Sequence, residues 1–313
     1  MSKTAFVFPG QGSQYVGMGS SFIVENKIVE ETFAEADQAL GFSISKICLE
    51  GPEEALRSTS FTQPAILTFS IALERVMKDN GIYPDIVAGH SLGEYSALVS
   101  AKVLDFKDAV KLVHIRGKLM EEAFAPGKGT MAAIMGLSAE QVDIVCKDAE
   151  NIGVVQAANY NCPGQVVIAG TKEAVEKASE IAKKNGAKRI FPLNVSGPFH
   201  SSLMEQAAER FTSHLNEVVF KQPHIPVVAN YSAKALQSVE EIKSALFLQI
   251  ANPVLWEQSV RTMLTMGVTT FVEIGPGKVL TGLIKKVSTD VKLLSTDDGE
   301  TLANSVALLK ECS

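Results

Sequence analysis

Short apolar runs alternate with longer amphipathic stretches along the first part of the chain. Residues 5–8 (AFVF) and 86–88 (IVA) are apolar runs that each stop at a glycine-rich turn, which is typical of buried strands. This alternation of strands and helices predicts an α/β fold in which helices cover a mostly parallel sheet. Hydrophobic positions with helical spacing predict helices over residues 21–39, over 64–80, from about Leu92, and over 106–123.

The pattern changes between residues 127 and 196. The predicted order there is strand, helix, strand, strand, helix, strand, which is the split βαβ or ferredoxin-like arrangement. Ser138 is expected to cap the first of these helices, and Gly186 to end the second. We therefore expect a large subdomain built from residues 1–126 and 197–313, with a small ferredoxin-like subdomain of residues 127–196 inserted into it.

Strands and helices alternate again after the insertion. A helix is predicted over residues 202–218, a strand at "IPVVANY", and a second helix at "SVEEIKSALFLQIA". A third helix is expected to start near Trp256. The strand "TTFVEIG" then leads into a second glycine-rich turn, "GPGKVL".

Composition and charge narrow the class of protein. Of the 313 residues, 46% are hydrophobic and 20% charged, and the net charge is −6, which suits a globular core and argues against nucleic-acid binding. No signal peptide, transit segment or bilayer-length apolar run is present, so we expect a cytoplasmic protein that does not bind membranes. Four scattered cysteines without zinc-type spacing predict free thiols and no metal site: Cys48, Cys146, Cys162 and Cys312.

The stretch Gly89-His90-Ser91-Leu92-Gly93 fits the pattern G-x-S-x-G, with an apolar strand before it and a helix after it. Such a strained turn presents a serine nucleophile, and small residues flank the serine because backbone segments come close there. Serine is also a favoured helix cap, so capping is the alternative role for Ser91.

A nucleophilic serine needs a base, and His200 is the best placed of the five histidines. It lies in "NVSGPFHSSLM", a loop between a predicted strand and a helix, where a general base is often found. A helix-capping or hydrogen-bonded loop histidine is the alternative. The others are expected to have structural or surface roles: His90, His114, His214 and His224.

Arg116 falls on the apolar face of the predicted helix 106–123. An arginine that points into a core is costly unless it is paired. Either a buried carboxylate neutralises it, or it awaits an anionic substrate, for which its planar fork is well suited. The apolar face is formed by Ala109, Leu112, Val113, Leu119 and Met120.

The loop that follows the first strand, Gly10-Gln11-Gly12-Ser13-Gln14, is not a nucleotide-binding motif. Tyr15 occupies the third glycine position of a dinucleotide fingerprint, and the Gly-Lys-Ser/Thr ending of a phosphate loop is missing. The remaining use of this loop is to supply a backbone N–H beside the elbow. Together with the N–H of Leu92 it would form an oxyanion hole.

Taken together, these motifs resemble the malonyl-CoA:acyl carrier protein transacylase family, the acyltransferases of fatty-acid and polyketide synthesis. The matches occur in the family's order and cover nearly the whole chain, including the insertion. They are "FPGQGSQ", "TQPAI", "GHSLGEYSAL", "NYNCPGQVVIAG", "GPFHSSLM", "QIANPVLW" and "EIGPGKVLTGL", with Arg116 downstream of the elbow. The resemblance implies an α/β-hydrolase-like core with a mostly parallel sheet.

The resemblance also implies a role for each site residue. Ser91 would be the nucleophile and His200 the base and acid, and the Gln249 main-chain carbonyl would orient the histidine. The N–H groups of Gln11 and Leu92 would form the oxyanion hole. The acyl group would contact Arg116, which binds the malonyl carboxylate, together with Phe199 and Met120. Phe199 matches malonyl-selective members of the family, and Asn159 and Asn161 match positions near the cleft without an assigned role.

The expected reaction is ping-pong transfer of malonyl from malonyl-CoA to the phosphopantetheine thiol of an acidic acyl carrier protein, with no resident cofactor. A thiol leaving group, with a pKa near 8.5, makes a third carboxylate dispensable. Two basic pairs, Lys188-Arg189 and Lys285-Lys286, are candidates for carrier docking, and ordinary solvated charges are the alternative. We expect a monomer.

Two other functions share some of these features. A serine hydrolase or thioesterase of the α/β-hydrolase class has the same elbow, but it expects an acid after the serine and a late histidine. Here more than a hundred residues follow His200. A non-catalytic binding module that uses Arg116 to hold an acid would never be acylated on Ser91.

Overall fold

The computed structural model describes residues 2–125 and 127–311 and has a mixed α/β architecture. The expectation for Cys312 therefore lies outside the described residues. The strands are β1 Lys3–Phe8, β2 Ile86–Gly89, β3 Gly129–Met135, β4 Val155–Cys162, β5 Gln165–Thr171, β6 Arg189–Pro192, β7 Val227–Val228, β8 Ala235–Leu236, β9 Val268–Glu273 and β10 Lys292–Ser295.

The helices lie between these strands, and up to residue 265 they follow the predicted order except for the helices Ile44–Glu50 and Glu53–Arg57, which were not predicted. A 3₁₀ turn at Ser202–Met204 precedes the tenth of them. They are α1 Ser20–Glu25, α2 Lys27–Leu40, α3 Ile44–Glu50, α4 Glu53–Arg57, α5 Thr59–Asp79, α6 Gly93–Ser100, α7 Phe106–Glu122, α8 Ala139–Ala149, α9 Lys172–Lys184, α10 Glu205–Glu217, α11 Val239–Ala251, α12 Trp256–Thr265, α13 Val279–Val287 and α14 Gly299–Lys310.

The first sheet is mostly parallel, as predicted. Its strand order is β10-β9-β1-β2-β7-β8, and only the β7–β8 pair at the edge is antiparallel. Phe6 and Phe8 of β1 pack into one hydrophobic cluster, whereas Ala5 and Val7 pack into another. Both faces of the sheet are thus covered by apolar contacts, which explains why its strands read as continuous apolar runs.

The second sheet is antiparallel, with the strand order β4-β5-β3-β6. Ala132 and Ile134 of β3 face helices α8 and α9, whose apolar sides complete a separate small core. The alternate residues Met131 and Ala133 face the opposite way, towards the main core. The face that carries Met131 and Ala133 therefore forms one wall of the cavity described below.

Two helix predictions were wrong in their bounds. The stretch 21–39 is two helices rather than one, because the chain leaves helical geometry at Asn26, whose side chain caps α2. Helix α5 starts at Thr59, before Pro64, although proline cannot donate to the carbonyl four residues earlier. That carbonyl, on Ser60, accepts a hydrogen bond from His114 Nδ1 at 2.7 Å instead.

The predicted strand at "IPVVANY" is only two residues long. Its chain leaves the sheet after Val228 and turns back into β8, so that Ala229 N–H donates to the carbonyl of Lys234. Asn230 N–H donates to a side chain, Glu94 Oε2, at 2.9 Å. A functional-site contact thus replaces the strand hydrogen bond that the pattern predicts. Helix α13, strand β10 and helix α14 were not predicted.

Membrane-spanning helices are absent from the described residues. None of their helices combines the length and the apolar character needed to cross a bilayer.

Candidate active site

The carboxyl ends of β1, β2 and β7 meet at one edge of the first sheet, and the loops that follow these strands carry Gln11, Ser91 and Asn230. Ligands of parallel α/β sheets bind at this edge. A cavity of about 250 Å³ opens there. Its lining includes Gln11, Gln63, Ser91, Leu92, Arg116, Met120, Met131, Ala133, Asn159, Asn161, Gln165, Phe199, His200, Val279 and Leu283.

Ser91 lies on the elbow with φ of 50°, in the left-handed region that non-glycine residues rarely adopt. The flanking glycines are needed: a Cβ on Gly89 would lie 1.9 Å from the Gly93 carbonyl carbon, and one on Gly93 would lie 2.0 Å from the Phe8 oxygen. The expectation of small residues at this turn is confirmed. Helix α6 has no side-chain cap, so the capping alternative for Ser91 is wrong.

The Ser91 hydroxyl lies 2.8 Å from Nε2 of His200, and Nδ1 of the same ring lies 2.7 Å from the main-chain carbonyl of Gln249. That carbonyl can only accept, so Nδ1 carries the hydrogen and the neutral ring has its lone pair on Nε2. Nε2 is therefore able to accept the Ser91 proton.

His200 is held neutral by its surroundings. Burial, followed by the positive charge of Arg116, lowers the pKa of His200 to about 3. Its backbone φ of 60° also lies in the left-handed region, so both members of the Ser91–His200 pair occupy strained backbone positions. No pattern in the sequence predicts the left-handed backbone of His200.

Arg116 is 1% exposed, and its hydrogen-bond partners are two amide oxygens and one hydroxyl. Its guanidinium donates to Gln63 Oε1 at 2.8 Å, to Gln249 Oε1 at 2.9 Å and to the Ser91 hydroxyl at 3.2 Å. The Tyr95 ring lies 5.4 Å from the guanidinium carbon. Burial lowers the pKa of Arg116, and the nearby Tyr95 and Glu94 oppose that shift. Within the described part of the chain no carboxylate forms an ion pair with Arg116, so the prediction of a carboxylate partner is wrong. A buried cation that lies beside the serine without an ion-pair partner among the described residues favours the prediction of an anionic substrate.

Gln11 and Leu92 line the cavity, and the backbone N–H groups of both have no hydrogen-bond partner among the described residues. The loop of Gln11 is pressed against the elbow, because a Cβ on Gly10 would lie 2.5 Å from the His90 carbonyl oxygen. The Gln11 side chain is held separately by Thr59, at 3.1 Å. Two such donors beside a serine can stabilise an oxyanion.

Phe199 and Met120 are buried and both line the cavity. Met120 Sδ lies 3.7 Å from Gln63 Nε2, the other end of the amide that accepts from Arg116. These two apolar side chains therefore limit the space around the Arg116 guanidinium. Asn159 borders the same cavity and pairs with Val254 in an isolated β-bridge.

The other four histidines do not approach the Ser91 hydroxyl. His90 Nε2 lies 2.9 Å from Asn161 Oδ1, and its ring packs on Trp256, which fits a supporting role beneath the elbow. Burial lowers the pKa of His90. His114 bonds the Ser60 carbonyl, His214 lies 3.8 Å from Glu217, and His224 lies in a loop.

The basic residues proposed for docking are exposed, and some of them lie at the mouth of the cavity. Lys286 Nζ lies 3.5 Å from the side chain of Gln165, which lines the cavity. Lys188 packs over Gly136, which is bonded to the Gly164 carbonyl on the same turn as Gln165. Arg189 and Lys285 are the exposed neighbours of these two lysines.

Sequence reasoning missed Glu94, Asn230 and Gln63. Asn230 fixes the elbow: its Oδ1 accepts from Ser91 N–H at 2.6 Å, and its Nδ2 donates to the Gly89 carbonyl at 2.6 Å. Glu94 is 1% exposed, and burial raises its pKa to about 7. Glu94 stands between the elbow and the run of small and apolar residues "YSALVSA". An acid at such a place was a usable signal. The other two, Asn230 and Gln63, lie in segments without a distinctive pattern.

The described residues contain no cluster of acids, histidines or cysteines suited to a metal ion.

Residues 5–303 match the family described as "Acyl transferase domain". The chain is 49% identical over 312 residues to the malonyl CoA-acyl carrier protein transacylase of Bacillus subtilis, covering 99% of this chain and 98% of the relative. It is 48% identical over 309 residues to the protein of the same name in Escherichia coli, covering 98% and 100%.

Solved structures agree with these relatives. An acyl carrier protein S-malonyltransferase from Vibrio cholerae superposes with a TM-score of 0.94 at 46% identity, covering 97% of this chain and 100% of that one. A chain of a complex between a type II PKS acyl-carrier protein and its malonyl-transacylase superposes with a TM-score of 0.96, at 46% identity and with 98% and 100% coverage.

Proposed function

This chain belongs to the acyl transferase family, and on that premise we propose that it transfers the malonyl group of malonyl-CoA to the phosphopantetheine thiol of an acyl carrier protein, for fatty-acid synthesis. One observation carries the proposal: an Arg116 nitrogen lies 3.2 Å from the Ser91 hydroxyl, which also contacts the neutral His200. A reactive serine and a buried cation share one cavity, which suits an acyl group that ends in a carboxylate.

The first half-reaction loads the serine. His200 Nε2 takes the Ser91 hydroxyl proton as the oxygen attacks the thioester carbonyl of malonyl-CoA, and the Gln11 and Leu92 N–H groups bind the resulting oxyanion. The carbon–sulfur bond then breaks. His200 returns its proton to the departing sulfur, which leaves coenzyme A as the thiol and malonyl on Ser91.

The second half-reaction runs the same steps in reverse with a new thiol. His200 takes the proton of the carrier's phosphopantetheine thiol as the sulfur attacks the malonyl ester. The second oxyanion collapses, the ester bond breaks, and the Ser91 oxygen regains a proton from His200. In the first half-reaction a carbonyl partner on Nδ1 suffices for the histidine because the leaving group is a thiol. In the second, the leaving Ser91 oxygen takes back the proton that His200 received from the carrier's thiol.

Arg116 gives the reaction its acyl preference. We expect Arg116→Ala to lower the rate of malonyl loading by roughly 30-fold or more, since truncating a buried charge-paired group costs about 2–5 kcal/mol. Acetyl loading should fall far less, because acetyl has no carboxylate. Pre-steady-state formation of the acyl-protein from the two CoA thioesters, followed by mass spectrometry, measures both rates.

Arg75→Ala provides the matched control for this comparison. Arg75 is a half-buried arginine, whereas Arg116 is fully buried. Arg75 pairs with Glu35 at 2.7 Å and does not line the cavity. It should leave the ratio of malonyl to acetyl loading unchanged. An equal loss of both rates in Arg116→Ala would show that Arg116 does not bind the malonyl carboxylate.

The carrier protein is proposed to dock at the mouth of the cavity, on Lys188, Arg189, Lys285 and Lys286. Reversing the charge of Lys188 and Lys286 to glutamate should lower kcat/KM for the carrier by about tenfold at low salt, and less at high salt, because exposed charges act mainly on association. Loading from malonyl-CoA should stay within about twofold of wild type. Steady-state transfer at two salt concentrations measures this.

Lys107 and Lys111 are the matched control, since both are exposed on the first turns of α7 and do not line the cavity. Their reversal to glutamate should leave carrier kinetics unchanged. Equal carrier kinetics in the two double variants would mean that the pair at the cavity mouth is ordinary solvated charge.

The competing hydrolase function is not favoured, because the relatives carry transacylase names over nearly their full length. A binding module that is never acylated is not favoured for the same reason. Release of free malonate from malonyl-CoA, at a rate indifferent to a thiol acceptor, would identify a hydrolase.

We further propose the finer organisation of the fold. The parallel sheet with its nucleophile elbow supports an α/β-hydrolase-like subdomain of residues 1–126 and 197–313. The order of elements from β3 to β6 and the sheet order β4-β5-β3-β6 support a ferredoxin-like subdomain of residues 127–196. The monomeric state, the cytoplasmic location, the absence of a resident cofactor and the absence of nucleic-acid or membrane binding stay predictions.

A further inference from the structure

One glutamine connects the three reactive parts of the cavity. The main-chain carbonyl of Gln249 accepts from His200, its side-chain Oε1 accepts from Arg116 at 2.9 Å, and its Nε2 donates to the Ser91 carbonyl at 3.0 Å. The residue is fully buried on α11. The orientation of this one side-chain amide therefore affects the position of the Arg116 guanidinium.

A side-chain amide has nearly the same shape in its two flipped orientations but opposite hydrogen-bonding character. Arg116 can only donate, so it tolerates the oxygen of Gln249 and is repelled by the NH₂ group. The flipped amide would place donor against donor in a dry interior, where an unmade hydrogen bond costs about 1–3 kcal/mol or more beside a charge. Something must hold the NH₂ end away from Arg116.

Glu94 supplies the acceptor at that end. Its Oε2 accepts from Gln249 Nε2 at 2.8 Å and from Asn230 N–H at 2.9 Å. The Asn230 side-chain oxygen is a weaker acceptor for Gln249, at 3.4 Å, because it is already bonded to the Ser91 N–H at 2.6 Å. Glu94 Oε2 is thus the shortest contact of the Gln249 NH₂ group, and together with the Ser91 carbonyl at 3.0 Å it fixes the direction of the amide.

The second oxygen of Glu94 has no hydrogen-bond partner among the described residues. Glu94 lies beyond ion-pair distance of Arg116, and its charge acts on the guanidinium only over a longer range. The contacts that set the direction of the guanidinium therefore run from Glu94 through Gln249. Because Oε2 accepts in both the ionised and the neutral acid, a proton on the unpartnered oxygen would leave the Gln249 bond intact. The property that the site requires from residue 94 is an acceptor, which an amide oxygen also offers.

We propose that Glu94 is a positioning residue that sets acyl selectivity: its Oε2 orients the Gln249 amide, so that Gln249 Oε1 holds the Arg116 guanidinium in place for the carboxylate of the incoming acyl group. This inference rests on the proposed malonyl transfer and adds a residue whose side chain hydrogen-bonds neither substrate nor Ser91. The Ser91 elbow itself is held by two hydrogen bonds of the Asn230 side chain, and Glu94 contacts that residue only at its backbone N–H, so we expect acetyl loading to depend less on Glu94.

The test compares Glu94→Ala and Glu94→Gln by the rate of acyl-protein formation from malonyl-CoA and from acetyl-CoA. The alanine variant should lose about tenfold or more in malonyl loading, mainly through a higher KM, and about threefold or less in acetyl loading. The glutamine variant should recover both rates to within about threefold of wild type, because its oxygen can accept the same two hydrogen bonds.

Glu74 is the matched control. It is a buried carboxylate on α5 that accepts from Ser100 Oγ and pairs with Lys78, and it does not line the cavity. Glu74→Ala should change the ratio of malonyl to acetyl loading by less than twofold. Thermal unfolding of every variant, followed by circular dichroism, confirms that rates are compared between folded proteins.

Gln249→Met tests the same inference if Glu94→Ala does not fold. Methionine keeps the main-chain carbonyl for His200 but removes both ends of the amide, so malonyl loading should fall more than acetyl loading. Equal losses of malonyl and acetyl loading, or a glutamine variant as impaired as the alanine variant, would overturn the role of Glu94. If wild type forms no malonyl adduct at all, the proposed function fails instead.

Discussion

Replacing Ser91 by alanine is expected to abolish the malonyl adduct and to lower malonyl transfer to the carrier by about 10⁴-fold or more. The reason is that the covalent route loses its acceptor atom, and removal of a nucleophile from a serine site leaves only binding and oxyanion stabilisation. Arg116 and the two free N–H groups remain, so malonyl-CoA should still bind. Transfer kinetics and intact-protein mass after incubation with malonyl-CoA measure both effects.

Ser96→Ala is the matched control for this variant. Ser96 lies in the first turn of α6, the helix that follows the elbow, and is fully buried. Its hydroxyl has no hydrogen-bond partner among the described residues. It should load malonyl at nearly the wild-type rate. A Ser91→Ala protein that keeps its adduct or its transfer rate would mean that another residue is the nucleophile.

The second large effect is expected from His200→Ala, which should lower the rate of malonyl loading by about 10²–10⁴-fold, the range that general base catalysis contributes. Residual activity should rise with pH, because solvent must then remove the serine proton. His224→Ala is the control, since His224 lies in a loop away from the serine. A His200→Ala protein that loads malonyl at the His224→Ala rate would exclude His200 as the base.

The pH dependence of the wild-type protein follows from the same geometry. Because burial and Arg116 lower the pKa of His200 to about 3, the histidine is already neutral at pH 6.5, where an ordinary histidine would be half protonated. The protonation of His200, which would block its role as base, therefore takes place at a pH well below 6.5. We expect kcat/KM for malonyl loading to stay level as pH falls from 8 through 6.5, and an acid limb centred near 6.5 in this profile would contradict it.

The sequence predicted the parts of the site that depend on local backbone geometry. The elbow at Ser91 has a five-residue pattern whose glycines are required by contacts under 2.1 Å, so local sequence suffices to find it. Arg116 was visible because a charge on an apolar helical face conflicts with the periodicity around it. The order of strands and helices from β3 to β6 was likewise predictable, because the spacing of hydrophobic residues differs between strands and helices.

What the sequence could not predict depends on contacts between distant segments. Pro64 lies inside a helix only because His114, fifty residues later, donates to the carbonyl that proline leaves free. The strand at Val227–Val228 ends early because Asn230 donates to Glu94, 136 residues away. Amide partners for Arg116 replace the expected carboxylate for the same reason, since Gln63 and Gln249 carry no charge pattern that marks them.

The most direct test of the central claim is the mass of the intact wild-type protein after incubation with malonyl-CoA, before and after addition of a phosphopantetheinylated acyl carrier protein. The account predicts one malonyl adduct, mapped by peptide fragmentation to Ser91 and cleared when the carrier protein is added, with malonyl appearing on the carrier. No adduct under conditions where malonyl-CoA binds, or an adduct on another residue, would contradict it.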